Sequence, residues 1–131
     1  MKQFVVGLIL AVFTLMAASC SQAETGKSES GQGAKPKVVG PAFVMFYTEN
    51  WAPWEEFAPI VNGLEDEYGD SINFYRFDAN DPDNQRLQND LQLRGHPSVA
   101  IVKSDGDISN RFFGSQSAEL LRPVLDELNN E

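Results

Sequence analysis

Apolar residues after position 40 follow two different spacings, and each spacing predicts a different secondary structure. Residues 41–48, PAFVMFYT, form a nearly unbroken apolar run, which is typical of a strand buried on both faces. From about 52 to 68, apolar side chains recur every three or four residues, which predicts an amphipathic helix. Pro53 fits the first turn of this helix, and Pro59 lies inside it and predicts a kink.

Shorter patterned segments follow this helix. Residues 71–79 have the alternating pattern of a second strand. Asp81 and Pro82 suit the N-cap and the first position of a short helix, because aspartate can accept an unpaired helix N–H and proline lacks one. Residues 98–104 and 108–114 are separated by Asp-Gly-Asp and predict a β-hairpin.

The last segment, SQSAELLRPVLDELNN, predicts a closing helix capped by Ser115 or Ser117, with a bend at Pro123. The order β-α-β-α-β-β-α therefore predicts one α/β domain over residues 41–131. A strand, a crossover helix and a second strand form a right-handed parallel unit, and the hairpin adds antiparallel strands. The expected architecture is a four-stranded mixed sheet flanked by helices.

The N-terminal segment has a different composition. One lysine precedes an apolar run from residue 4 to 18, and small residues stand at its end. The run is shorter than the roughly 20 residues that span a bilayer. Residues 1–19 are therefore interpreted as a secretory signal peptide, with an uncleaved anchor helix as the alternative.

Cys20 is the only cysteine and directly follows these small residues. A free thiol often behaves as a buried apolar group, but the residues after Cys20 are polar. The stretch LMAASC resembles the lipobox of bacterial lipoproteins, although Ala17 stands where a larger aliphatic residue is usual. This resemblance implies that Cys20 carries lipid and anchors the protein in a membrane. Residues 20–40 would then be the anchor and a flexible linker.

The charge of the chain argues against two classes of ligand. The formal net charge is −9, and removal of residues 1–19, which contain Lys2 and no acid, changes it to −10. Such a domain repels nucleic acid and anionic lipid surfaces, so neither is an expected ligand. The acid-rich segment 78–84 lacks the spacing of a calcium loop, and no Cys/His cluster indicates another metal. No metal and no cofactor are expected.

Residues 41–129 resemble the thioredoxin family. FVMFYTENWAPWEEFAPI is similar to the family's strand, active-site turn and long helix, with Pro53 and Pro59 at family proline positions. LQLRGHPSVAIVKSDGD resembles the segment that carries the family's cis-proline, which implies that role for Pro97, and Gly114 resembles the glycine that ends the last strand. The resemblance implies a minimal thioredoxin-like fold, without the first strand and helix of full-length thioredoxins.

The departures from the family concern its chemistry. Family members exchange disulfides through a thiolate at the helix start and a second, resolving thiol. The resemblance places Trp51 and Trp54 at these two positions, and Met45 at the position of the family's buried acid. An indole can act neither as the nucleophilic thiolate nor as the resolving thiol, and Cys20 lies on the far side of the linker. The chain is therefore expected to lack dithiol oxidoreductase activity, with no catalytic residues.

The resemblance also implies a binding groove, in which an extended polypeptide pairs with the backbone before the cis-proline. It places Trp51, His96 and Pro97 there, with Trp54 turned further inward. Both tryptophans could instead be core residues, since tryptophan is usually largely buried, but an exposed one suits a binding hot spot. His96 is the only histidine, and a lone histidine is more often a surface or packing residue than a ligand. The candidate partner-binding residues are Trp51, Trp54, His96 and Pro97.

Two functions remain open. The first is a non-catalytic module that binds an extended polypeptide, or serves as a scaffold, in the bacterial cell envelope. The alternative is a role in redox homeostasis through a partner that supplies thiols, although a fold does not carry function without its site. The expected location is the periplasmic face of the envelope. Ser21 resembles the pattern for outer-membrane sorting if the cell has two membranes.

Overall fold

The structure is a computed structural model that describes residues 37–131. The predicted signal peptide, Cys20 and the linker up to residue 36 lie outside the described residues. The elements are β1 (Ala42–Tyr47), α1 (Ala52–Tyr68), β2 (Asn73–Asp78), α2 (Pro82–Asp90), β3 (Ser98–Val102), β4 (Ile108–Phe113) and α3 (Ala118–Asn129). Among residues 37–131, no helix combines the length and the apolarity that crossing a membrane requires.

The four strands form one mixed sheet in the order β2-β1-β3-β4. β1 runs parallel to β2 and antiparallel to β3, with Met45 opposite Val99. β3 and β4 form the predicted hairpin, in which Ser98 lies opposite Phe113. The predicted α/β architecture, a four-stranded mixed sheet flanked by helices, is confirmed.

β1 is apolar on both faces because each face of the sheet carries a core. Residues 42–46 are completely inaccessible to solvent, and their side chains alternate between the two faces. One core joins β1 to α1 and α3, and the other joins β1 to α2. The main members of the first core are Phe43, Met45, Phe57, Val61, Leu64, Leu121 and Leu125.

The caps of the two shorter helices follow the predicted chemistry. The carboxylate of Asp81 accepts a hydrogen bond from the backbone N–H of Asp83 at 2.9 Å, with Pro82 at the start of α2. Ser117 is the N-cap of α3, and its hydroxyl accepts from the N–H of Leu120 at 3.3 Å. Ser117 is therefore the cap of the two serines considered, which leaves Ser115 free for a different contact.

The C-terminal half of α1 is tied to α3 by polar contacts. The Tyr68 hydroxyl donates to the Asp126 carboxylate at 2.7 Å, and this hydrogen bond, together with burial, raises the pKa of Tyr68 to about 12. One turn away on the surface, the Arg122 guanidinium donates to both carboxylate oxygens of Glu67, and that contact lowers the pKa of Glu67. These contacts fix the far end of α1, while its N-terminal end faces the candidate site.

Candidate functional site

The turn between β1 and α1 holds Trp51 outside the core. Asn50 adopts a left-handed conformation with φ of 58°, which asparagine tolerates better than most residues. Trp51 follows in an extended conformation as the N-cap of α1, and its carbonyl accepts from the N–H groups of Trp54 and Glu55. Its side chain makes no capping hydrogen bond and is 51% exposed. The backbone of Trp51 therefore starts the helix, while the indole remains available to solvent.

The two tryptophans have different surroundings. Trp54 is half-buried and packs against the core beneath α1 and α3. Its ring lies 4.6 Å from the ring of Tyr47, with 31° between the planes. Of the two alternatives, the core interpretation fits Trp54 and the exposed interpretation fits Trp51.

The structure brings His96 and Pro97 to the same surface as Trp51. The His96–Pro97 peptide bond is cis. The His96 ring is 6.3 Å from the Trp51 ring at an angle of 71°, an edge-to-face arrangement. His96 is exposed, whereas Pro97 is buried. Within residues 37–131, neither the N–H nor the C=O of His96 makes a hydrogen bond, so both can pair with another chain.

A third segment, the end of β4 and the residues after it, completes this surface. The N–H of Gly114 donates to the carbonyl of Pro97 at 2.8 Å, and Gly114 has a φ of 81°. The Ser115 hydroxyl donates to the carbonyl of Pro53 at 2.9 Å. Two hydrogen bonds thus join the α1 turn, the cis-proline loop and the end of β4.

The sequence did not single out Phe113 or Ser115 as site residues. Phe113 is 53% exposed, about as much as Trp51, and it lies beside Ser98 in the strand pairing. The only sequence signal for this exposure was alternation along β4, in which Phe112 and Phe113 must point to opposite faces. Nothing in the sequence indicated a site role for Ser115, which was considered only as an alternative to Ser117 for the N-cap of the last helix.

The interior beneath the turn is apolar. Met45 has no accessible surface and belongs to the core beneath α1 and α3. The acids near the turn, Glu49, Glu55 and Glu56, are all exposed, and negative charge in the first turn of α1 is favourable to the helix dipole. No group of three or more His, Cys, Asp or Glu side chains among residues 37–131 is arranged to hold a metal ion.

The comparisons with known proteins agree on the architecture. A thioredoxin from Acidithiobacillus ferridurans is 29% identical over 90 residues, which are 69% of this chain and 81% of that protein. The X-ray structure of Fasciola hepatica thioredoxin superposes with a TM-score of 0.57 at 22% identity, covering 66% of this chain and 79% of the thioredoxin. The chain has a thioredoxin-like fold.

Further comparisons are consistent with this fold. A chain from a yeast structure concerned with thiol resolution of the mitochondrial 1-Cys peroxiredoxin via glutathione/thioredoxin systems has a TM-score of 0.57 at 17% identity. The match covers 66% of this chain and 77% of the yeast chain. No family model matches the sequence. In the thioredoxin-like fold of this chain, the surface built by Trp51 and His96 lies where α1 begins, and Phe113 lies beside the end of α2.

Proposed function

We propose that this protein is an exported, lipid-anchored thioredoxin-like module that binds an extended polypeptide in the cell envelope without catalysing a reaction. The observation that carries the proposal is the Trp51 indole, which is 51% exposed at the start of α1 and packs edge-to-face on His96. Exposed aromatic residues supply much of the energy at binding hot spots. A large apolar side chain that gains nothing from the core fits such a role.

The backbone beside Trp51 supports a mode of binding. The N–H and C=O of His96 have no partner within residues 37–131, and they can pair with an extended segment in the manner of β-augmentation. Backbone pairing would supply affinity for any sequence, and contact with the indole would select apolar side chains. Pro97 is buried and positions His96, and Trp54 supports the turn from below.

The absence of thiols supports a non-catalytic role. The sole cysteine of the chain is Cys20, so no residue of the domain can form the mixed disulfide that dithiol exchange requires. Met45 is buried among apolar side chains and carries no titratable proton. The proposed site therefore offers contact and hydrogen bonds, with no nucleophile.

We expect replacement of Trp51 by alanine to weaken capture of envelope polypeptides by the full chain at least about tenfold, because the largest apolar contact of the surface is lost. Affinity purification with quantitative mass spectrometry measures the effect. Val39→Ala is the matched control, since Val39 is 49% exposed but precedes β1, at the opposite end of that strand. Equal capture by wild-type and Trp51→Ala protein would contradict a binding role for Trp51.

The export and anchoring part of the proposal rests on residues 1–20 and has its own test. We expect the mature protein isolated from its own cells to begin at an acylated Cys20, in line with the lipobox resemblance of LMAASC. Each buried methylene of such a chain contributes about 0.8 kcal/mol of membrane affinity. Mass spectrometry of the N-terminal peptide measures this, and an unmodified Cys20 or a retained segment 1–19 would refute it.

A redox role through a thiol-bearing partner is the second candidate. The 29% identity to a thioredoxin favours it, because dithiol exchange is the chemistry of that fold's best-known site. An insulin-reduction assay with the Cys20→Ser protein separates the two candidates. Turnover of insulin disulfides by this protein alone would overturn the non-catalytic proposal, and turnover only with an added envelope partner would favour the second candidate.

A further inference from the structure

A shallow depression lies beside the proposed binding surface, between the end of α2 and the edge strand β4. Its volume is about 590 Å³. It combines an exposed aromatic ring, a guanidinium group and two side-chain amides over a buried leucine. The lining residues are Asn89, Gln92, Leu93, Arg94 and Phe113.

Arg94 is a cation without a carboxylate partner. Within residues 37–131 it makes neither an ion pair nor a hydrogen bond. Lys103 contacts Glu131 and Arg122 contacts Glu67. The exposed Arg86 also has no partner within residues 37–131, but it does not line the depression. Residues 37–131 contain seven Lys and Arg against seventeen Asp and Glu. An exposed arginine that stays unpaired among so many acids is available to a carboxylate of a partner.

The depression adjoins the chain segment that carries His96, the residue that contacts Trp51. Arg94 precedes His96 by two residues, a span of at most about 7 Å. Phe113 adjoins Gly114, whose N–H is bonded to the Pro97 carbonyl. In an extended ligand, side chains two residues apart share one face and lie about 7 Å apart. A segment with one side chain on Trp51 can therefore present the second-next side chain to Arg94 and Phe113.

We propose that the depression is a second subsite that takes an acidic side chain of the bound polypeptide. The preferred segment then contains an apolar residue and, two positions away, Asp or Glu. The carboxylate meets the Arg94 guanidinium, and the aliphatic part of the acidic side chain lies on the Phe113 ring. This specificity rests on the proposed binding function at Trp51 and His96.

The test uses fluorescent peptides in which the core Gln-Thr-Leu-Thr-Gln is flanked by serine and glycine and capped at both ends. In two further peptides, one or the other glutamine is replaced by glutamate, so that either chain direction is covered. Fluorescence anisotropy with the full chain is expected to show that one acidic peptide binds about fivefold more tightly than the neutral one. A last pair of peptides carries lysine in place of the same glutamines. Arg94→Glu should abolish the preference for the acidic peptide and favour the peptide with lysine at that position, while binding of the neutral peptide is retained. Arg86→Glu is the control, since Arg86 is exposed on α2 and does not line the depression.

The outcomes separate this inference from the proposed function. Suppose that binding needs Trp51 but shows no preference for either acidic peptide, or that Arg94→Glu and Arg86→Glu have equal effects. Either result would overturn the acidic subsite alone. If none of the peptides binds, or if Trp51→Ala weakens the binding of none of them, both the subsite and the peptide-binding function are overturned. A preference that Arg94→Glu inverts and Arg86→Glu preserves would establish the subsite.

Discussion

Replacement of Met45 by aspartate is expected to lower the free energy of unfolding by about 3 kcal/mol at pH 7, because it places a carboxylate in an apolar core. Met45 has no accessible surface and is surrounded by apolar members of the core beneath α1 and α3. The nearest cation across the strand pairing is Arg76, but its guanidinium already contacts Asn62 and Glu65. The new carboxylate would therefore gain little compensation from an ion pair.

The cost of this substitution should depend on pH in one direction. Burial raises the pKa of an aspartate above its unfolded value near 4, so the folded variant binds a proton more tightly than the unfolded chain. The stability of Met45→Asp relative to Met45→Asn should therefore fall as the pH rises above about 4, and recover as the pH is lowered. Urea unfolding at several pH values measures this difference, and Met45→Leu shows the cost of a change in shape alone. Equal stability of the Asp and Asn variants from pH 4 to 8 would mean that position 45 is open to water.

Replacement of Trp54 by alanine is expected to cost about 2–3 kcal/mol of stability, whereas Trp51→Ala should change stability by less than about 0.5 kcal/mol. Trp54 is half-buried, has its ring 4.6 Å from the ring of Tyr47 and packs against the core, so its removal leaves a cavity under the turn. Trp51 makes no capping hydrogen bond with its side chain and exposes about half of its surface. Removing its indole therefore leaves the start of α1 intact.

Urea unfolding followed by far-ultraviolet circular dichroism measures both variants without relying on tryptophan fluorescence. Tyr47→Phe is a control that keeps the ring in contact with Trp54 and removes only the hydroxyl group. A loss above about 2 kcal/mol for Trp51→Ala would make Trp51 a core residue and would remove the main support for a binding role. A negligible loss for Trp54→Ala would instead mean that the contact of Trp54 with Tyr47 contributes little to the stability of the fold.

The secondary structure was predictable because burial imposes a period on the sequence. β1 has an unbroken apolar run because both of its faces are buried, and α1 has a three- and four-residue spacing because only one side packs on the core. α1 has the bounds predicted from this spacing. The caps at Asp81 and Ser117 follow from local chemistry, since donor and acceptor are within three residues of each other.

The site was only partly predictable, because its contacts join residues that are far apart in the chain. The bond from Ser115 to Pro53 spans 62 residues, and no local pattern indicates it. The exposure of Phe113 depends on β4 being the edge strand and on how much of that face α2 covers, neither of which alternation specifies. The pairing of Trp51 with His96 was foreseen through a family resemblance alone, since periodicity gives no reason to join residues 51 and 96.

The two hydrogen bonds from Gly114 to Pro97 and from Ser115 to Pro53 have a consequence for how specificity at this surface can change. They are made by backbone carbonyls and by Gly114 and Ser115, and none of the exposed ring-bearing side chains takes part. Fixing the backbone of one residue costs about 1–2 kcal/mol of conformational entropy, and at this surface folding has already fixed the three segments. Trp51, His96 and Phe113 can therefore be exchanged one at a time, which makes the surface a preorganised platform whose selectivity can evolve while its framework stays constant.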